Sequence, residues 1–136
     1  MSQILADNGL FGETVKISEI IKLDIEGDGV DEVLIIASNA NSSDMVNGQY
    51  SIVVMRKIME GNVESIFLIK DIRTNLPTEL NTRTIYEYEL CEVVDLNYDG
   101  VCELLIKREY YEGHCYQVYE IDDNEYKIVL ENGSEV

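Results

Sequence analysis

Oxygen-bearing side chains recur at alternate positions in two short glycine-containing stretches, and that spacing suits a hard divalent cation. The first stretch reads Asp24-Ile25-Glu26-Gly27-Asp28-Gly29-Val30-Asp31-Glu32, the second Asp95-Leu96-Asn97-Tyr98-Asp99-Gly100-Val101-Cys102-Glu103. Calcium takes six to eight oxygens at roughly 2.3–2.6 Å, so a short loop must turn back on itself and aim alternate side chains inward. Asp24, Glu26 and Asp28, and then Asp95, Asn97 and Asp99, occupy the first, third and fifth places. Gly29 and Gly100 hold the sixth place, where a sharp turn favours a residue free of a Cβ. The seventh place offers a backbone carbonyl from Val30 or Val101, and Glu32 and Glu103 at the ninth can close the shell.

The two copies align without a gap, since Asp24 to Asp95 and Glu32 to Glu103 are the same step of 71 residues. A step of this kind is the mark of an internal repeat. The first loop carries five carboxylates, Asp24, Glu26, Asp28, Asp31 and Glu32, whose mutual repulsion a bound cation would relieve. The plainer reading is a pair of tight acidic turns without metal, because Asp, Asn and Gly are turn residues in their own right. Repetition of the whole pattern, ninth-place Glu included, favours the cation.

An EF-hand loop shares this opening but needs a bidentate Glu at its twelfth place and a helix on either side. Here that place is Ile35 or Ile106, and the flanks, such as Val33-Leu34-Ile35-Ile36, are β-branched without helical period. The same opening followed at once by a strand resembles the FG-GAP and VCBS family of β-propeller repeats, found in integrin α-subunit heads and many bacterial surface proteins. The resemblance covers both loops and the strand after each. It implies a loop between two antiparallel strands of a blade, holding Ca2+ through Asp24, Glu26, Asp28, Glu32 and the Val30 carbonyl. In the second copy it implies Asp95, Asn97, Asp99, Glu103 and the Val101 carbonyl. Glu26 stands where that family has Asp or Asn; Phe11-Gly12 precedes the first loop, but no Gly-Ala-Pro follows it.

To position such loops the chain must be all-β, and apolar runs alternate with turn signals from end to end without a sustained helical period. Eight strands are expected, in two tandem four-stranded antiparallel repeats resembling propeller blades. They run about Thr14 to Leu23, Glu32 to Ser38, Gln49 to Met59 and Val63 to Ile72, then Thr84 to Val94, Cys102 to Tyr110, His114 to Ile121 and Glu125 to Glu131. The chain, 1–136, reads as a single domain with repeats at about 14–72 and 84–131. Glu60-Gly61-Asn62 and Asp122-Asp123-Asn124 look like equivalent hairpin turns. Their offset of 62 leaves nine extra residues in the first repeat, part of them in the polar segment Asn39 to Gly48. Arg73 to Arg83, with the only proline, Pro77, reads as the join. Two blades cannot close a propeller ring, so the repeats pack together, belong to a larger assembly, or form a homo-oligomer that hides open faces.

The chain has 46% hydrophobic and 27% charged residues, ordinary for a folded domain, yet its formal charge is −17. Nucleic acid and anionic membrane are poor partners for that surface, whereas cations or a basic protein are good ones. No run of about eighteen apolar residues suggests membrane insertion, and Met1 to Phe11 lacks the basic start and apolar stretch of a signal peptide. Three cysteines, Cys91, Cys102 and Cys115, define no disulfide framework, so the compartment stays open by sequence; the resemblance favours a surface or secreted protein.

Eight of nine tyrosines lie from Tyr86 onward, and such a face can stack on sugars or anchor a protein, although cross-strand packing is the ordinary explanation. His114, Cys115, Cys102 and Cys91 match no zinc spacing. With one His, no nucleophile elbow and no phosphate or dinucleotide loop, an enzyme has little to stand on. The expectation is a calcium-binding, non-enzymatic repeat domain. Its alternative is a metal-independent protein- or glycan-binding module with acidic turns.

Overall fold

The computed structural model describes residues 16–39, 50–72, 86–110, 113–122 and 125–134. Eight strands appear in chain order: β1 (Ile17–Leu23), β2 (Glu32–Ser38), β3 (Tyr50–Met59), β4 (Asn62–Ile72), β5 (Glu87–Val94), β6 (Glu103–Tyr110), β7 (Gly113–Asp122) and β8 (Glu125–Ser134). They form two four-stranded sheets of consecutive antiparallel neighbours, β1-β2-β3-β4 and β5-β6-β7-β8. The all-β class and the two tandem four-stranded antiparallel units are those expected. Strand residues placed at Thr14, Gln49 and Thr84, together with Phe11-Gly12, the join at 73–83 and most of the 39–48 segment, lie outside the described residues.

Local chemistry explains the elements. Alternation sends Leu34 and Ile36 of β2 to one face and Ile35 and Ala37 to the other. In β3, Ile52, Val53, Val54 and Met55 are all fully buried, the continuous apolar run of a strand covered on both faces. Met59 pairs with Asn62 around Glu60 and Gly61, both at positive φ (51° and 82°), as in a two-residue type I′ hairpin. Asn62 is therefore a strand residue. The partner hairpin pairs Asp122 with Glu125.

Register corrects the repeat arithmetic. Val33 pairs with Arg56 and Leu104 with Tyr119, so β2 maps to β6 by 71 residues and β3 to β7 by 63. The hairpin turns are offset by 63 rather than 62. The first repeat therefore has eight extra residues, in the connection between β2 and β3. The turn chemistry alone could not show this, because Gly-Asn and Asp-Asn align equally well one place apart.

The two sheets share one core. Leu34, Ile36, Val53, Met55 and Leu68 of the first pack with Leu90, Leu104, Ile106, Tyr119 and Ile121 of the second, and Ile25 joins them from the first loop. Adding the repeat offsets turns Leu34, Ile36, Val53 and Met55 into Leu105, Lys107, Tyr116 and Val118, the opposite face of the second sheet. The sheets thus stack head to tail with non-equivalent faces, not about a two-fold axis. Where the first sheet packs Ile36, the second turns Lys107 outward to an ion pair with Glu109 at 2.7 Å. The far face of the first sheet is also buried, around Tyr50, Ile52, Val54 and Ala37. Hydrogen bonds tie the sheets directly: Tyr88 Oη donates to Asp71 Oδ2 (2.9 Å) and the Leu90 amide to Glu19 Oε1 (3.3 Å).

Candidate metal centre

Each acidic loop bridges the first two strands of its sheet, β1 to β2 and β5 to β6, so both begin and end on fixed backbone. Asp24 accepts the amides of Asp28 (Oδ1, 3.0 Å) and Gly29 (Oδ2, 2.8 Å), and Asp95 accepts those of Asp99 (3.1 Å) and Gly100 (2.8 Å) in the same way. Asp28 and Asp99 each accept, through Oδ1 at 2.9 Å, the amide of the seventh-place residue, Val30 or Val101. Asn97 Oδ1 accepts the Asp99 amide at 3.1 Å. The sixth-place glycines take φ of 87° and 90°, as the turn requires. The fourth places also take positive φ: Gly27 at 72° and Tyr98 at 62°. The two loops therefore have the same backbone shape from different residues.

The ninth-place glutamates point inward. Glu32 and Glu103 are buried at the start of β2 and β6. Glu32 Oε2 accepts the amides of Ile25 (2.8 Å) and Glu26 (3.2 Å), and Glu103 Oε2 accepts that of Leu96 (2.6 Å). One carboxylate oxygen from each of Asp24, Asp28 and Glu32 lies within 4.8 Å of the others, and the same holds for Asp95, Asp99 and Glu103. Glu26 does not join its triad, because its Oε1 pairs with Lys57 Nζ on β3, both side chains largely buried. Asp31 faces Lys22 at 3.9 Å in an exposed pair.

The electrostatics follow from these partners. The Gly29 amide, helped by those of Asp28 and Gly27, draws the Asp24 carboxyl below its ordinary range. Burial pushes Glu32 up, the Glu26 and Ile25 amides offset part of that rise, and the nearby Glu26 and Asp28 charges add to it. Glu32 is thus a carboxylate whose ionised form lacks solvent, the environment a cation reverses.

Two acidic triads of this kind can hold a metal ion, and their fit can be tested on Glu103. Its Oε1 is buried and has no hydrogen-bond partner, while the other oxygen is used by Leu96. A desolvated oxygen beside two more carboxylates fits a site that can accept a Lewis acid. The donors are all oxygen, the ligand type that hard cations take. Among the described residues, His114 and the cysteines join no such cluster: Cys91 is exposed, Cys102 half-buried and Cys115 buried.

Three residues of the site had no signal in the spacing of the loops: Lys57, which neutralises Glu26; Ile25, fully buried beneath the second loop; and Tyr98, in a left-handed conformation. The only hint was the mismatch of Gly27 with Tyr98 at the fourth place. Three tyrosines of the second half have structural partners, with Tyr86 under the Arg108 guanidinium (4.5 Å), Tyr88 on Asp71 and Tyr119 Oη on Gln117 Oε1 (2.9 Å), whereas Tyr98, Tyr116 and Tyr126 are exposed. Among the described residues no helix is long and apolar enough to cross a membrane. The chain matches no protein-family model, no curated protein and no solved structure.

Proposed function

We propose that both loops are calcium sites, and that the chain is a non-catalytic recognition domain of the FG-GAP and VCBS propeller-blade type. The observation that carries this reading is the buried, unpartnered Glu103 Oε1 in a triad that the chain repeats at Asp24, Asp28 and Glu32. Calcium suits the site better than magnesium, which demands near-ideal octahedral geometry and retains several waters. Bound metal would neutralise carboxylates and fix the turns between the first two strands of each sheet. A protein of charge −17 then offers its surface to a basic protein, in a surface or secreted setting.

The metal-independent alternative draws on a specific observation too: Asp24 and Asp95 already accept two amides each, so the turns close by themselves. Thermal unfolding of chelated protein, with and without about 5 mM calcium and with magnesium as control, separates the two readings. Sites of 10⁻⁴–10⁻³ M affinity would add about 1 to 2.3 kcal/mol each at that concentration. A calcium-selective rise that Asp95→Ala diminishes supports the calcium reading. An unchanged melting curve, or an equal rise with magnesium, leaves solvated acidic turns.

A further inference from the structure

The two acidic loops touch each other. The Cys102 amide, next to Glu103, donates to the Ile25 carbonyl at 2.7 Å, and the Ile25 amide of that same residue donates to Glu32 Oε2 at 2.8 Å. A continuous path of four groups therefore runs from the Glu32 carboxylate through Ile25 to the backbone that presents Glu103. Alongside it, Gly27 lies so close to Gly100 that a Cβ would overlap the Gly100 carbonyl oxygen. The contact is one-sided, as head-to-tail stacking requires: Ile25 is fully buried, whereas its repeat equivalent Leu96 is 55% exposed.

We propose that cation binding at the two loops is coupled through this contact, so that a cation held by Asp24, Asp28 and Glu32 strengthens binding at Asp95, Asp99 and Glu103. The inference rests on the calcium reading above. A cation at the first loop fixes Glu32, and with it the Ile25 peptide that anchors Cys102. The second loop is then partly ordered before its own ion arrives, and ordering already done need not be repeated. Coulomb repulsion between the ions opposes this. Solution ions screen the exposed part of that repulsion over about 8 Å, and the coupling is the surplus of the ordering already done over what remains. The second triad does not stand on acidity alone, since it contains the buried, unpartnered Glu103 oxygen, and the first repeats its residue types at the same places.

Calcium titration calorimetry on four forms of the full chain tests the coupling: the native chain, Asp24→Asn, Gly27→Ala, and Gly27→Ala with Asp24→Asn. Calcium is the only probe. Asp24→Asn is expected to weaken the remaining second-loop site by about 10-fold relative to that site in the native chain. In the Gly27→Ala background, which alters no candidate ligand, the same change should move second-loop affinity less than about 2-fold. Asp95→Asn provides a reciprocal measurement that does not depend on Gly27→Ala folding, because linkage demands an equal weakening of the first loop. Two native sites that titrate independently would overturn the coupling while leaving the calcium reading intact. A native chain that takes up no calcium would overturn both.

Discussion

Gly27 and Gly100 meet backbone to backbone: at Gly27 there is no room for even a methyl group, because the Gly100 carbonyl oxygen occupies its place. The fourth place of one loop is thereby pressed against the sixth of the other. The matching residue in the second loop, Tyr98, is 93% exposed. Head-to-tail packing thus explains why one copy of the repeat requires glycine where the other carries a tyrosine.

The glycines of the loops should differ in cost. Gly27, Gly29 and Gly100 all have positive φ, so alanine at any of them meets left-handed strain of about 1 kcal/mol. Only at Gly27 does a Cβ also strike backbone, whereas at Gly29 and Gly100 it meets nothing within 4 Å. Gly27→Ala is expected to lose about 2 to 4 kcal/mol in denaturant unfolding and the other two about 1 kcal/mol. Equal losses for all three would contradict the loop contact.

Tyr98 holds φ of 62° on an exposed loop tip, a conformation that suits glycine. Tyr98→Gly should raise the stability of chelated protein by about 0.5 to 1 kcal/mol, the strain released less the entropy of a freer unfolded chain. A chemical denaturation curve measures it. A loss of stability would mean that the tyrosine ring has a role in packing that its exposure denies.

Lys57 and Glu26 form a largely buried ion pair between β3 and the first loop. Lys57→Met leaves the Glu26 carboxylate without that cation, and metal-free stability should fall by about 1 to 3 kcal/mol. Calcium affinity at the first loop should rise in the same variant, because a released carboxylate adds negative charge to the site. Parallel thermal scans with chelator and with calcium read both effects. A first-loop affinity that falls instead would place Lys57 among the supports of the site rather than its competitors.

Tyr88 ties the sheets through Asp71, and burial, then the Asp71 charge, pushes its hydroxyl well above the ordinary tyrosine range. A raised folded value favours the neutral form in the fold. Its contribution is whole below about pH 10 and is lost as pH rises above that, where the unfolded chain ionises first. Tyr88→Phe is expected to cost about 1 kcal/mol at neutral pH. The difference from the native chain should shrink on going above about pH 10, and fluorescence-detected unfolding across that range checks the sign.

The duplication and the β class were legible because their causes are local. Strand alternation, β-branched runs and Asp/Asn/Gly turns act over a few residues, so Glu32–Ser38 and the hairpin at Glu60-Gly61 could be read directly. So could the two acidic clusters, since Asp24, Asp28 and Glu32 return as Asp95, Asp99 and Glu103. The tertiary structure alone decided how the copies differ. Repeat equivalence treats Leu34 and Leu105 as the same residue, yet stacking buries the first between the sheets and turns the second to the opposite side. It also diverted Glu26 to Lys57, 31 residues away, buried Ile25 while leaving Leu96 exposed, and set Gly27 against Gly100. These outcomes depend on which faces two sheets present to each other. Face choice is a long-range property of the packed core, and no window of neighbouring residues contains it.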